Sequence, residues 1–267
     1  MALRSKTLYI LLCFFISTNA IGQEAPEEEG TLKFSDKFNT WSVGFGASNF
    51  ILYGDLKSIG KNNAGDFWNL GTYLYTDKMF NPVLGTELKI NYSSLGGGGI
   101  HRGSPLVLDG NQFGLELNGI LNLTNLWRHN SKAWTMNFMA GIGYQWNHSK
   151  LTNNAGAPLP ENTFEKIRTG GMYLNTSFGV KRRINQKWDV EFRTTLNLNS
   201  NDYLDAVIDD KKTTEFFLNT NLGLIYKFGT KEKYAIWVAD ELPEEAIATH
   251  IEDTDKDGVI DALDVEP

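Results

Sequence analysis

Cysteine is almost missing from this chain of 267 residues: the single one, Cys13, lies in the apolar stretch Leu8–Ile16 near the N-terminus. Arg4 and Lys6 precede that stretch and Ser17-Thr-Asn-Ala20 follows it, the pattern of a secretory signal peptide over residues 1–22, with cleavage after Ala20 or Gly22. Leu12 occupies the slot where a lipoprotein signal needs a small residue, so Cys13 is not read as a lipid-anchor site. The mature chain then lacks cysteine altogether, which excludes disulfides, thiolate nucleophiles and Cys-based zinc sites. Long apolar runs are missing as well. The leader core falls short of the roughly 20 residues that a spanning helix needs, and nothing later approaches that length, so a helical membrane protein is excluded.

Positive charge is scarce in the tails. The net charge is −7, but residues 240–267 hold eleven acids against Lys256 alone, and Glu24 and Glu27 to Glu29 add four more. The middle of the chain then comes out near +5. Its basic residues do not cluster with aromatics on one segment, so nucleic-acid binding is not indicated.

What is present is alternation. From Asn39 to Phe228, period-two stretches of about ten residues recur, rich in Trp, Tyr, Phe, Thr and Val. Trp41, Val43, Phe45 and Ala47 share one face against Ser42, Gly44 and Gly46. Leu84, Thr86, Leu88, Ile90 and Tyr92 oppose Gly85, Glu87, Lys89 and Asn91. Similar stretches begin near Trp68, Phe113, Trp134, Met172, Trp188 and Phe216, which makes about eight strands, the smallest number found in outer-membrane barrels.

A soluble sandwich also alternates, so connection lengths must discriminate. The gaps 77–82, 125–131 and 185–186 are short. Those at 48–67, 93–111, 147–168 and 199–213 run to roughly fifteen to twenty-two residues, as expected for tight periplasmic turns and long external loops. In this register Trp41, Trp134 and Trp188 begin upward strands and Phe228 ends the last downward one, an aromatic girdle at one interface; Tyr92, Phe113, Trp146 and Phe216 mark the opposite rim. The expectation is an all-β fold, an eight-stranded antiparallel transmembrane β-barrel over 39–229, preceded by a periplasmic segment at 23–38 and followed by an acidic linker at 230–252.

An eight-stranded barrel is just wide enough to be filled by side chains, so no open pore follows from it. The inward positions include Glu87, Lys89, Glu116, Lys181, Asp189, Glu191, Arg193 and Lys227, and both signs together suggest a cross-barrel charge network. Glu87 and Glu116 read as partners of Lys89 and Arg193 rather than as a catalytic acid pair. His101, His129, His148 and His250 share no spacing suited to a metal or a triad, and Gly96-Gly-Gly-Gly99 lacks the Lys-Ser or Lys-Thr of a phosphate loop, reading instead as a flexible part of the second external loop.

The last fifteen residues carry the sharpest motif. Asp253, Asp255 and Asp257 precede Gly258, and Asp261 and Asp264 follow, matching D-x-D-x-D-G-x5-E except that Asp replaces the final Glu. With the Val259 carbonyl at position seven, these oxygens suit Ca2+. A solvated acidic tail is the plainer alternative.

No flanking helical pattern accompanies the loop, and Asp253 to Pro267 resembles one thrombospondin type 3 repeat. Together with the final strand Leu222-Gly-Leu-Ile-Tyr-Lys-Phe228 and the acidic linker, it makes the chain resemble the OmpA-like outer-membrane proteins of Bacteroidota. That resemblance implies a barrel in the outer-membrane lipid of a Gram-negative bacterium and a calcium-stiffened tail in the periplasm. It also implies peptidoglycan binding through a further domain that this sequence does not include. The function expected is a non-enzymatic anchor or scaffold, or a subunit of an outer-membrane protein complex, with a porin-like channel for small solutes or ions as the alternative.

Overall fold

The computed structural model describes residues 38–58, 68–127, 133–200, 204–207 and 215–237. Eight strands follow in chain order: β1 (Trp41–Tyr53), β2 (Asn69–Met79), β3 (Leu84–His101), β4 (Ser104–Asn122), β5 (Trp134–Asn153), β6 (Lys166–Arg183), β7 (Trp188–Asn199) and β8 (Phe216–Lys227). Each pairs antiparallel with the next, and β8 closes on β1 from Ser42 opposite Lys227 to Tyr53 opposite Phe216. Closure leaves no unpaired edge, the condition under which strands can cross a membrane.

The alternation places apolar residues outside and polar ones inside. Trp41, Phe45, Leu74, Phe138, Leu174, Phe192 and Leu222 are exposed, while Glu87, Lys89, Glu116, Lys181, Asp189, Glu191 and Arg193 are buried. A soluble barrel would show the reverse.

The connections at one end are short and built alike. The Asn81 side chain accepts the backbone N–H groups of Val83 and Leu84 between β2 and β3, and Asn185 does the same for Lys187 and Trp188 between β6 and β7. Such Asn turns satisfy backbone donors locally, which lets the chain reverse within a few residues. Between β4 and β5 lies the one-turn helix α1 (Leu123–Leu126), whose Asn125 N–H is capped by the Asn122 side chain.

At the other end two hairpins run further than the alternation suggested. Residues 93–111, expected as an external loop, are mostly strand: β3 and β4 continue to a tight turn at Arg102 and Gly103, both at positive φ. The four glycines belong to β3, and Gly96 to Gly98 are buried. The reason is a third backbone segment, since Lys57 exchanges hydrogen bonds with Gly98 in both directions, at 3.2 and 2.9 Å. A Cβ at Gly97 would sit 3.4 Å from the Lys57 carbonyl, so a side chain there would press on that contact. Likewise β5 and β6 take up residues 147–153 and 166–168 of the expected third loop, leaving residues 154–165 as the connection.

The inside of the barrel is closed at both ends. At the long-loop end Phe50, Leu52, Leu95, Leu106, Leu108, Leu151 and Phe217 from the strands pack with Leu56, Leu204, Ala206 and Val207 from the connections. At the short-turn end the chain after β8 turns back. Residues 230–237, expected as the first part of a linker leading away from the membrane, place Tyr234, Ala235 and Ile236 against Met79, Ile120 and Met139, with Phe38 and Trp237 at the margin. Asn39 fastens the return: its backbone bonds Lys233 and Ala235, and its side chain bonds Lys231 twice. These apolar residues are hidden inside the mouth rather than outside it, which is why no periodicity betrayed them.

Candidate functional site in the barrel interior

The interior charges form a joined network. Arg193 on β7 reaches across the barrel to Glu87 on β3 with two parallel hydrogen bonds of 2.8 and 2.7 Å, and also contacts Glu191 on its own strand at 3.0 Å. Such a two-point guanidinium–carboxylate contact fixes orientation as well as charge. Lys89 pairs with Glu116 at 3.2 Å, Lys181 with Asp77 at 3.3 Å and with Glu191 at 3.9 Å, and Lys227 with Asp189. Glu87 and Glu116 thus have Arg193 and Lys89 as their respective cations.

Five buried carboxylates here face four buried cations, so charge pairing alone leaves acceptors over. Aromatic donors complete the set. The Tyr75 hydroxyl donates to Glu191 at 3.0 Å and Tyr173 to Glu116 at 3.1 Å, both from inside the strands. From the returning chain Tyr234 donates to Asp77 at 3.1 Å and the Trp237 indole to Asp189 at 3.0 Å. Ser42 also donates to Asp77, and Asn118 and Asn91 donate to Glu87 and Glu116. Rings cover the cations: the Arg193 guanidinium lies 4.8 Å from the Tyr75 ring centre, and Arg183 lies 4.4 Å from that of Trp237. Buried charges need this degree of pairing, because an ion removed from water without a partner costs several kcal/mol.

Sequence reasoning missed five contributors. Asp77 fell into an expected turn, yet β2 carries it inward to Lys181. Tyr75 and Tyr173 stood at inward positions, but only the geometry shows their hydroxyls meeting carboxylates. Tyr234 and Trp237 lay beyond the last strand, where nothing in the pattern pointed to the lumen.

A separate acidic pair closes the long-loop end. Asp205 accepts from the Leu56 and Val207 backbone N–H groups at 2.8 and 3.0 Å, and Glu215 accepts from those of Leu204 and Asp205 at 2.8 and 3.2 Å. The carboxyls themselves are hydrogen-bonded, and burial raises the pKa of both, with Asp55 adding to the rise at Asp205 and the Asp205 charge adding to that at Glu215. Through these backbone contacts the pair ties the β1–β2 and β7–β8 connections together.

Trp41, Trp134, Trp188 and Phe228 sit at the short-turn end, and the first, second and last of these are strongly exposed. Lys78 lies 5.3 Å from the Trp41 ring centre and Arg182 5.2 Å from that of Trp134, while the Trp188 ring meets that of Tyr226 at a tilt, with centres 5.0 Å apart. Around the other rim Phe113 and Trp146 stand 5.6 Å apart, and Phe216 stacks on Tyr53 at 4.9 Å. Asp253, Asp255, Asp257, Val259, Asp261 and Asp264 lie outside the described residues. Among those that are described, no group of three or more His, Cys, Asp or Glu side chains is placed to hold a metal ion.

A closed barrel with an apolar exterior, two aromatic rims and a charged interior decides the architecture. This chain is an eight-stranded transmembrane β-barrel. No known protein-family model matches it, and no curated protein is similar to it. Among solved structures it is similar to Ail, the attachment invasion locus protein of Yersinia pestis, at 12% identity over 72% of this chain and 99% of that one, with a TM-score of 0.44. It is also similar to Neisserial surface protein A, at 9% identity over 70% of this chain and 97% of that one (TM-score 0.46). OprG of Pseudomonas aeruginosa matches at 13% identity over 73% and 98% (TM-score 0.41). At such identities and scores these likenesses assign no activity to the chain.

Proposed function

We propose that the barrel is a non-enzymatic outer-membrane anchor or scaffold, working as a subunit of a larger envelope assembly rather than as an open pore. The observation that carries this reading is the doubly closed lumen, in which Arg193 and Glu87 span the interior while Tyr234 to Trp237 and the Leu204 to Val207 segment fill the two mouths. Such a lumen favours rigidity over passage. Crosslinking in intact membranes tests it: recovery of wall or protein partners is expected, and recovery of the barrel alone would count against it.

One feature favours conduction instead. The amides of Asn137, Asn175 and Asn221 are buried with neither nitrogen nor oxygen partnered by protein, and groups of that kind call for water. A water-filled strip beside the charge network would be the start of a small-ion path. Planar-bilayer recording of the refolded barrel separates the two readings, since steady conductance belongs to the channel and its absence from an inserted barrel to the scaffold.

We further propose that Asp253, Asp255, Asp257, Asp261, Asp264 and the Val259 carbonyl bind Ca2+ and stiffen the tail as it runs through the periplasm toward the wall. The spacing of five carboxylates around Gly258 supports it. Proteolysis of the intact chain with and without calcium is the check; a tail cleaved equally fast in both conditions sinks the idea.

A further inference from the structure

Above the aromatic rim of the β5–β6 hairpin, the lipid-facing side changes from apolar to cationic. Tyr144 stands opposite Met172 and Trp146 opposite Gly170; one step further out His148 stands opposite Arg168, and one further Lys150 opposite Lys166. Each step of two residues advances about 7 Å along a strand, so the four basic side chains occupy a band beginning just beyond the rim. Lys150, Lys166 and Arg168 are exposed and His148 is half-buried. Directly opposed residues hold their Cβ atoms about 5 Å apart, and like charges in that position repel.

Among the described residues this is relieved only in part, by Asp109 directly opposite Lys150. Asp109 is the β4 neighbour of Lys150, and Glu165 precedes Lys166 in the chain, yet among the described residues no salt bridge joins either carboxylate to any of the four. Level with His148 and Lys150, β4 places Asn111 and Asp109 and β3 places Ser94 and Gly96, so on that side no further cation extends the band, in a chain whose net charge is −7. Aromatic rings at the membrane interface set the headgroup level, and the cations lie immediately outside it.

We propose that the outward face of the β5–β6 hairpin, through Lys150, Lys166, Arg168 and His148, binds the phosphate-bearing headgroup of a lipid in the leaflet at the long-loop end. Arg168 would take phosphate oxygens through two N–H groups, Lys150 and Lys166 would act as point charges above it, and Trp146 and Tyr144 would border the acyl chains below. The placement of this face in a leaflet rests on the membrane-barrel reading.

The test reconstitutes the full chain in phosphatidylcholine nanodiscs containing diphosphoryl lipid A, and counts lipid A retained after detergent extraction by native mass spectrometry. The comparison is Lys150→Gln/Lys166→Gln/Arg168→Gln, whose exposed positions leave the barrel intact. Retention is expected to fall at least tenfold in the variant, and to fall similarly for wild type when dephosphorylated lipid A replaces the diphosphoryl form. Equal retention by the two proteins, or equal retention of the two lipids, overturns the proposal. Release by inorganic phosphate in modest excess, with phosphate itself bound in lipid-A-free discs, assigns the site to a free anion and overturns the lipid assignment. Heat-dependent gel mobility and protease protection in plain phosphatidylcholine discs report separately on insertion: their failure sinks the membrane reading, whereas an inserted barrel without retention sinks only this one.

Discussion

Tyr234 donates its hydroxyl hydrogen to Asp77 from a position 157 residues further along the chain, and in doing so joins the segment after the last strand to the charge network inside the barrel. Asp77 is also the partner of Lys181, so the mouth and the interior share a residue.

Tyr234→Phe is expected to lower stability by about 2 kcal/mol, the usual scale for a hydrogen bond to a charged group, as measured by urea unfolding in lipid vesicles. Trp237→Ala should act more on the mouth than on the barrel, because it removes the bond to Asp189 and the ring beneath Arg183. Faster protease cleavage after residue 227, with strand protection unchanged, is the expected result.

Arg193→Met leaves Glu87 without its cation in a fully buried site and should cost about 3–5 kcal/mol. Adding Glu87→Met should recover much of that loss, since Glu191 keeps Lys181 and Tyr75. A double variant no more stable than the single one would show that the pair is not coupled in this way.

The Asp205 and Glu215 carboxyls are raised to about 6 and about 10, chiefly by burial. Because each folded value lies above the unfolded one, their contribution to stability is fully present below about pH 4. It is lost as pH rises, first toward 6 and then toward 10. The melting temperature of wild type should therefore fall between acid and alkaline solution, and Glu215→Gln should flatten that slope. An identical slope in the variant would place the pH dependence elsewhere.

Gly46→Ala should obstruct closure. A Cβ at that position would lie 2.2 Å from the Leu222 carbonyl oxygen and 2.5 Å from the Gly223 Cα on β8, and backbone atoms cannot swing aside. The expected outcome is a sharp drop in the heat-resistant folded band, whereas Ala at the open position Gly119, where the nearest atom is 3.8 Å away, should fold normally.

The strands were legible because half of their residues face lipid and half face the lumen, so burial imposed a period of two on nearly every stretch. Where both faces meet protein that period fails. Gly96 to Gly98 are covered by Lys57, and so they read as a loop. The interior charges were legible as inward positions, but their pairing was not: register brings Lys89 beside Glu116 as direct cross-strand neighbours, while Arg193 meets Glu87 only because the barrel closes. Asp77 was hidden by an estimate of β2 that ended too soon. Tyr234 and Trp237 were hidden by the assumption that a chain leaving its last strand leaves the barrel too.

The seam between β1 and β8 pairs Ser42 with Lys227, and Asn39 clasps Lys231 just below it. No earlier pair of strands can stand in for this one. The ring cannot shut until β8 is in place, so every partly paired state before that point presents two raw strand edges at once. Closure is therefore the last pairing the ring can make, and any state that lacks it leaves both strand edges open to pairing with other chains.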